Sequence, residues 1–505
     1  LLIGAARARG LGITPAQLRQ AIYSGATYRG DIPAYAQGAG SFNVPSAWGL
    51  LLAGIETRTF TSSAPVCSPL SEFLATPNTG LGIYNRCALT AGGHRPGEAK
   101  SYAVTITRTS GPAMAVWHTL TWVGNDGTFS SPQAVSLGLN QPQTVTVQAR
   151  PTAGAHGAIL EVDDPKTAGV DYRILNTVVA SSDPVAPAFG FEANGTNERN
   201  HTQSFFVTVP RGAATLQVNL GGIATGSQTR FLAINPYGIP ADPNSTPLCY
   251  LNYVNPANTC KPDERSYDNP VPGVWEIEVE ARRTSPSLNN PFQITAAVQG
   301  VAVQPPTITI PTVTSGTATP VNWFLANRFG PVTVTGQGGP LGTAAVQRPT
   351  IAAGARQSYD VVVPAGATRL DAAISNPSDP GADLDLYVYR EGALIAQSAD
   401  GDSEESVSLS NPKPGTYSVV VYGYAVPSGS TAYDYRDVYY SSSLGSLDVQ
   451  ASGLTLVAGQ TAPFAGSVTA FSGAGPGRQL YGELTVRSDQ GAVLGRGSVL
   501  VGNVG

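Results

Sequence analysis

The sequence predicts a mainly β chain, built as tandem β-sandwich domains preceded by one short helical segment. Three observations predict it. After Gly54 the helical period stops, and short runs that alternate apolar and polar residues take over, bounded by Gly, Pro, Asn and Asp. A block of sequence recurs inside the chain. Only 12% of the 505 residues are charged, and 57 Gly and 40 Pro are dispersed between the apolar runs, which speaks for many turns rather than disorder.

The helical segment comes first. Leu1–Gly10 reads as mid-helix, with no start signal before it. Thr14 can cap a second helix, Pro15 fits its first position, Gln17 completes a capping box, and Ile13 and Leu18 sit where a hydrophobic staple needs them. A Gly38-Ala39-Gly40 turn follows, and then Asn43-Val44-Pro45-Ser46-Ala47-Trp48.

That order resembles the C-terminal end of the catalytic domain of subtilisin-like serine peptidases. There, a helix opening with Thr-Pro-x-x-Leu, a Gly-x-Gly turn and an Asn-Val-x-x-Ala helix follow the helix that carries the nucleophilic serine. The resemblance implies that residues 1–54 are the helical remnant of an α/β subtilisin-like catalytic domain. The family's Gly-Thr-Ser-Met-Ala segment and its Asp and His motifs are not among these 505 residues. The chain is therefore expected to begin just after the catalytic serine, to hold no catalytic residue, and to be inactive alone.

From Glu56 to Ser182 strand-like runs arrive at regular spacing, as in a small sandwich: Tyr102–Thr107, Gln143–Val147 and Arg173–Val179. The stretch from Pro151 to Pro165, followed by Tyr172–Val179, resembles the last hairpin of the fibronectin-III-like domain that follows the catalytic domain in larger subtilases.

The repeat comes next. Gln203–Ala213 matches Gln357–Ala367 at an offset of 154 positions, and Asn269-Pro270-Val271-Pro272-Gly273-Val274-Trp275 matches Asn411-Pro412-Lys413-Pro414-Gly415-Thr416-Tyr417 at 142. The first copy is thus twelve residues longer between the landmarks, and Cys249 to Cys260 spans twelve residues, which reads as an inserted loop. The Pro-Gly step sets a tight turn before a buried aromatic. This pattern resembles the pre-peptidase C-terminal type of sandwich, the second copy more closely. Gln304–Pro311 reads as a stiff linker or edge strand, and the strands of 451–505 are expected to pack with those around Pro320–Val334.

The expected organisation runs as follows: 1–54 catalytic-domain tail, 55–185 fibronectin-III-like sandwich, 186–303 sandwich copy one, 304–345 linker and strands, 346–450 sandwich copy two, 451–505 terminal strands.

The four cysteines read as two local pairs, Cys67 with Cys87 and Cys249 with Cys260, which fits an oxidising compartment. The competing reading is four unpaired thiols in a reducing one. The chemistry-bearing residues are sparse. His118 reads as a structural side chain in a strand, while His94, His156 and His201 fall in Gly- or Asn-rich turns and read as solvated. Asp163-Asp164-Pro165 reads as a turn rather than an acid/base pair. No cofactor is expected except calcium, for which Asp383, Asp385, Asp400 and Asp402 are weak candidates beside the alternative of a solvated polar face.

A net charge of −5 with no basic stripe argues against nucleic acid, and no run of eighteen apolar residues spans a membrane. The expected location is extracellular, secreted by a bacterium. The partners implied by the resemblance are protein or peptide substrates, engaged through a catalytic domain. A reading of a different class is a non-catalytic adhesion or carbohydrate-binding protein. It leaves Leu1, Leu2, Ile3, Leu11, Ile22 and Trp48 without a reason to be apolar.

Overall fold

The computed structural model describes residues 1–505 except 243–248, 251–252, 255–260, 400, 402 and 451–452, with the backbone alone at 249, 253 and 254. The chain is mainly β, in several sheets. It divides into two compact units, one of residues 1–185 and 189–298 and one of 186–188 and 299–505.

The first unit opens with helices α1 (Leu2–Ala8), α2 (Pro15–Ser24), α3 (Ala34–Gln37) and α4 (Val44–Leu52). The capping box forms: Gln17 N–H donates to Thr14 Oγ1 at 3.2 Å and Thr14 N–H to Gln17 Oε1 at 3.0 Å. Asn43 caps α4 by accepting from Ser46 N–H at 3.0 Å. Helices α1, α2 and α4 bury a small core of Leu2, Ala21, Ala47, Leu51 and the following Ile55, with Leu11, Leu18, Ile22 and Trp48 against it. Gly25 lets α2 approach α4, because a Cβ there would lie 2.8 Å from the Ala47 backbone.

A sandwich follows over Phe60–Ala180. Its first strand, Phe60–Cys67, pairs antiparallel with Lys100–Arg108 and, further along, parallel with Tyr84–Asn85, so one strand serves both sheets. Alternating residues of the two sheets make the core: Val104, Ile106, Val145 and Val147 face Leu120, Leu160, Val162 and Ile174. Cys67 and Cys87 form a disulfide with Cα atoms 5.5 Å apart. The other expected pair involves Cys260, which lies outside the described residues.

The internal repeat folds twice into one topology. In copy one, Thr202–Val209, Gly273–Ala281 and Thr229–Ile234 form one sheet. The other is Gly190–Glu198, Asn289–Gln299, Thr215–Gly221 and Glu264–Asp268. In copy two the first sheet is Arg356–Val363, Gly415–Ala425, Asp383–Arg390 and Ala393–Ser398. Its second holds Gly342–Gln347, Asp434–Tyr440, Arg369–Ser375 and Ser406–Ser410 in the matching order. Registers agree residue for residue: Val209 faces Gly273 as Val363 faces Gly415, and Thr215 faces Asp268 as Arg369 faces Ser410.

The Asn-Pro-x-Pro-Gly-x-aromatic turn shows why its residues recur. Asn269 and Asn411 take φ of 46° and 49°, and Gly273 and Gly415 take 138° and 140°. Trp275 Nε1 donates to Val271 O at 2.8 Å, and Tyr417 OH donates to Lys413 O at 3.0 Å. Each buried aromatic thus ties its polar end to the carbonyl four residues back.

In the second unit, copy two's second sheet continues across Gln479–Ser488 and Val493–Val504 to Thr307–Val313, which is a parallel edge strand. Thr319–Asn327 pairs with Thr461–Ala470. The strands of 301–341 and 444–501 enclose one core around Trp323, Phe464, Leu484 and Val499.

Candidate functional site

The helical body sits on the outer face of the first sandwich. Gln20 Nε2 of α2 donates to Asp171 O at 3.1 Å and also to Val170 O, and Ser24 Oγ accepts from Val170 N–H at 3.1 Å. Arg173 reaches back to Tyr23 O. Gly157 in the strand Gly154–Asp163 leaves the space that Tyr35 fills, since a Cβ there would lie 2.8 Å from the ring. Gly124 does the same for Tyr28.

The turn that receives α2 is held by a buried polar cluster. Asp164 accepts from Arg58 Nη1 at 2.7 Å and from Lys166 N–H at 3.1 Å. Asp171 accepts from Asp164 N–H at 2.8 Å. Salt-bridging to Arg58 outweighs burial and holds the Asp164 carboxyl below its ordinary range, while burial pushes Asp171 and Asp163 up. His118 is fully buried beside them; its Nδ1 meets Val116 O at 3.0 Å, its Nε2 lies 3.9 Å from Asp171 Oδ2, and burial holds it in the neutral form. No serine, threonine or cysteine hydrogen-bonds it among the described residues. Asp163-Asp164-Pro165 thus starts a structural turn, and His118 is part of its support.

Two histidines lie elsewhere than expected. His94 is 2% exposed, with Nε2 2.6 Å from Tyr102 OH; the Gly92-Gly93 step turns the chain inward against Cys87. His156 is in a strand, not a turn, with Nδ1 2.5 Å from Asp126 Oδ2. Thr152 Oγ1 lies 3.3 Å from His156 Nε2, an Asp-His-Thr order that looks like a triad. The same Nε2 also lies 3.1 Å from Thr152 O, so the hydroxyl shares that nitrogen with a carbonyl of its own residue and is not paired with it as a dedicated nucleophile. His201 is exposed.

Of the calcium candidates, Asp383 and Asp385 lie on one strand, whose pairing shifts register between Asp383 and Leu384; Asp385 is buried and accepts from Tyr387 OH at 2.9 Å. Asp400 and Asp402 lie outside the described residues. Among the described residues no three His, Cys, Asp or Glu side chains come together as metal ligands.

A cleft of about 1220 Å³ opens between the first sandwich and copy one, lined by Cys67–Pro69 and Arg86–Ala91 on one side and Asp183–Val185, Thr208–Arg211 and Pro272–Val274 on the other. Beneath it the outer face of copy one packs on the first sandwich, where Phe206 and Val274 bury against Val179. Arg86 lies over the Phe206 ring and pairs with Glu276 at 3.4 Å. No local sequence pattern announced this packing; the apolar Phe206 on the outward face of a strand was its one visible sign.

These features define an architecture, antiparallel β-sandwich modules preceded by a small helical body. Residues 61–180 match the family described as an Ig-like domain in actinomycete serine proteases, and 355–423 match the bacterial pre-peptidase C-terminal domain. The first match names an Ig-like domain where the sequence suggested a fibronectin-III-like one; both are two-sheet antiparallel sandwiches. Among particular proteins, the chain is 29% identical to pyrolysin of Pyrococcus furiosus over 273 residues, covering 52% of this chain and 18% of pyrolysin. The crystal structure of tripeptidyl peptidase 2 shares the fold over 99% of this chain and 45% of its own, with a TM-score of 0.53 and 13% identity. The chain therefore spans less than half the length of either relative. No helix among the described residues is long and apolar enough to cross a membrane.

Proposed function

We propose that this chain is the C-terminal part of a secreted subtilisin-like serine peptidase. In this reading residues 1–54 complete a catalytic domain that carries the Asp-His-Ser triad, and the β modules hold that domain in place and present protein substrates to it. The calcium candidates and the domain limits at 54, 185, 303, 345 and 450 belong to the same proposal. The carrying observation is the helical body seated on a sandwich that matches protease-associated Ig-like domains. The similarity to pyrolysin supports it.

The coding region immediately upstream of Leu1 tests the reading. An in-frame Gly-Thr-Ser-Met-Ala-like segment, with Asp and His motifs before it, is the expected result. A frame broken by stop codons there would overturn it. At the protein level, the purified 505-residue chain is expected to hydrolyse neither amides nor esters.

A further inference from the structure

The outer face of copy two's first sheet corresponds, position by position, to the face that copy one buries against its neighbour. The registers equate Phe206 with Asp360, Val274 with Thr416, Glu276 with Ser418 and Ile234 with Tyr389. Copy one's face is apolar where it docks: Phe206 is 7% exposed and Val274 is 1% exposed. In copy two the same positions are polar and open. Asp360 and Thr416 are exposed, and Val362 beside them is 67% exposed. The apolar anchors that seat a protein domain are absent there.

In their place is a depression of about 580 Å³ lined by Tyr389, Glu391, Gly392, Thr416 and Ser418, within the size range of small-molecule sites. Tyr389 faces Ser418 across the pair of strands, and the next outward position on its own strand is Tyr387. Ser358 and Ser418 share a hydrogen bond at 2.6 Å, and Tyr422 and the 64% exposed Tyr424 continue the face. Glu391 pairs with Arg390 at 3.1 Å, and on the same face Asp360 is matched by Arg356 over the Tyr422 ring, so the depression offers no surplus positive charge to an anion.

Aromatic rings, hydroxyls and carboxylate acceptors around a neutral-to-acidic hollow suit a ligand with apolar C–H faces and many hydroxyls. We propose that this depression on copy two binds a neutral polysaccharide, with Tyr389 under a sugar ring and Thr416, Ser418 and Glu391 on its hydroxyls. The proposal does not depend on the peptidase reading.

Affinity electrophoresis of the whole 505-residue chain tests it, in gels containing xylan, mixed-linkage β-glucan, galactomannan or soluble starch. Parallel gels contain polygalacturonate, gelatin and casein. The expected result is retardation by at least one of the four neutral polysaccharides. Thr416→Arg, at an exposed position, fills the hollow and abolishes that retardation, and Tyr389→Ala weakens it about tenfold, the scale of one lost aromatic contact. An unchanged melting temperature of Thr416→Arg excludes misfolding as the cause; if Tyr389→Ala melts early, Thr416→Arg alone decides. Migration unaffected by all four neutral polysaccharides overturns the proposal. So does retardation that Thr416→Arg leaves intact, or a Thr416-dependent retention by polygalacturonate, gelatin or casein instead.

Discussion

Copies one and two of the repeated sandwich keep the same turn and exchange the same face. Asn269 and Asn411, Gly273 and Gly415, Trp275 and Tyr417 hold equivalent conformations and equivalent hydrogen bonds. On the outer face Phe206 becomes Asp360 and Val274 becomes Thr416. Residues that set backbone geometry are fixed by sterics inside each copy. Residues that meet a neighbour follow the neighbour, as Phe206 and Val274 of copy one follow the first sandwich.

The strongest way to break the comparison is inside the shared turn. Trp275→Ala removes a large buried ring and is expected to cost copy one about 3–5 kcal/mol in denaturant unfolding. Tyr417→Phe removes only the hydrogen bond and should cost about 1 kcal/mol. Equal losses would mean that the ring is not what the turn is built around.

Next comes Phe206→Asp, which installs copy two's residue in copy one. It removes a buried ring and sets a carboxylate against Val179, beside an Arg86 already paired with Glu276, and should cost about 3 kcal/mol. Limited proteolysis should then cut near Asp183–Val185 faster than in the unsubstituted chain; an unchanged digest would contradict the docking. Gly415→Ala and Gly273→Ala each force a side chain to a φ near 140° and should cost about 1–2 kcal/mol, with the larger melting-temperature shift at Gly273, where a Cβ would also lie 2.9 Å from Pro236.

Acid sharpens the contrast further, because all four histidines precede residue 202 and none lies in copy two. Burial holds folded His118 below its ordinary 6.5. As pH falls through 6.5 the unfolded chain takes up that proton first, so the histidine's share of stability is full above 6.5 and lost below it. Asp164, held low by Arg58, adds a loss of the same sign at lower pH, whereas Asp163 and Asp171, pushed up by burial, act in the opposite sense. His118→Asn should therefore flatten the dependence of the first transition on pH between 7 and 5 in calorimetry. A slope unchanged by the substitution would remove the histidine from the account. The smallest effect is expected from Asp360→Phe, the reverse exchange, which sits on an open face and should stay within about 0.5 kcal/mol.

Much of this comparison was legible in sequence. The capping box at Thr14–Gln17, the repeat and its Pro-Gly-x-aromatic step are local patterns, and local sterics enforce them. The fates of His94 and His156 were not legible. Neighbouring glycines made both look solvated, yet one is drawn in by Tyr102 and the other by Asp126, partners that only the folded sheets bring near. The seat of α2 on Val170 and Asp171, 150 residues away, left no local mark either. The pairing of Cys249 with Cys260 rests on an even cysteine count, local spacing and a twelve-residue insertion, and Cys260 lies outside the described residues; the calcium candidates rest on alternation that a bulge at Asp383 interrupts.

The strand Phe60–Cys67 carries a mechanical consequence. It is the first rigid element after the helical body, and it is bonded on opposite sides to Lys100–Arg108 and to Tyr84–Asn85. Tension on the chain between the helical body and the modules beyond it pulls this strand along its own axis. Its rungs on both sides are then loaded together in shear instead of opening one at a time. The Cys67–Cys87 bond ends the strand covalently, so a pulling force that tore every rung would still stop there.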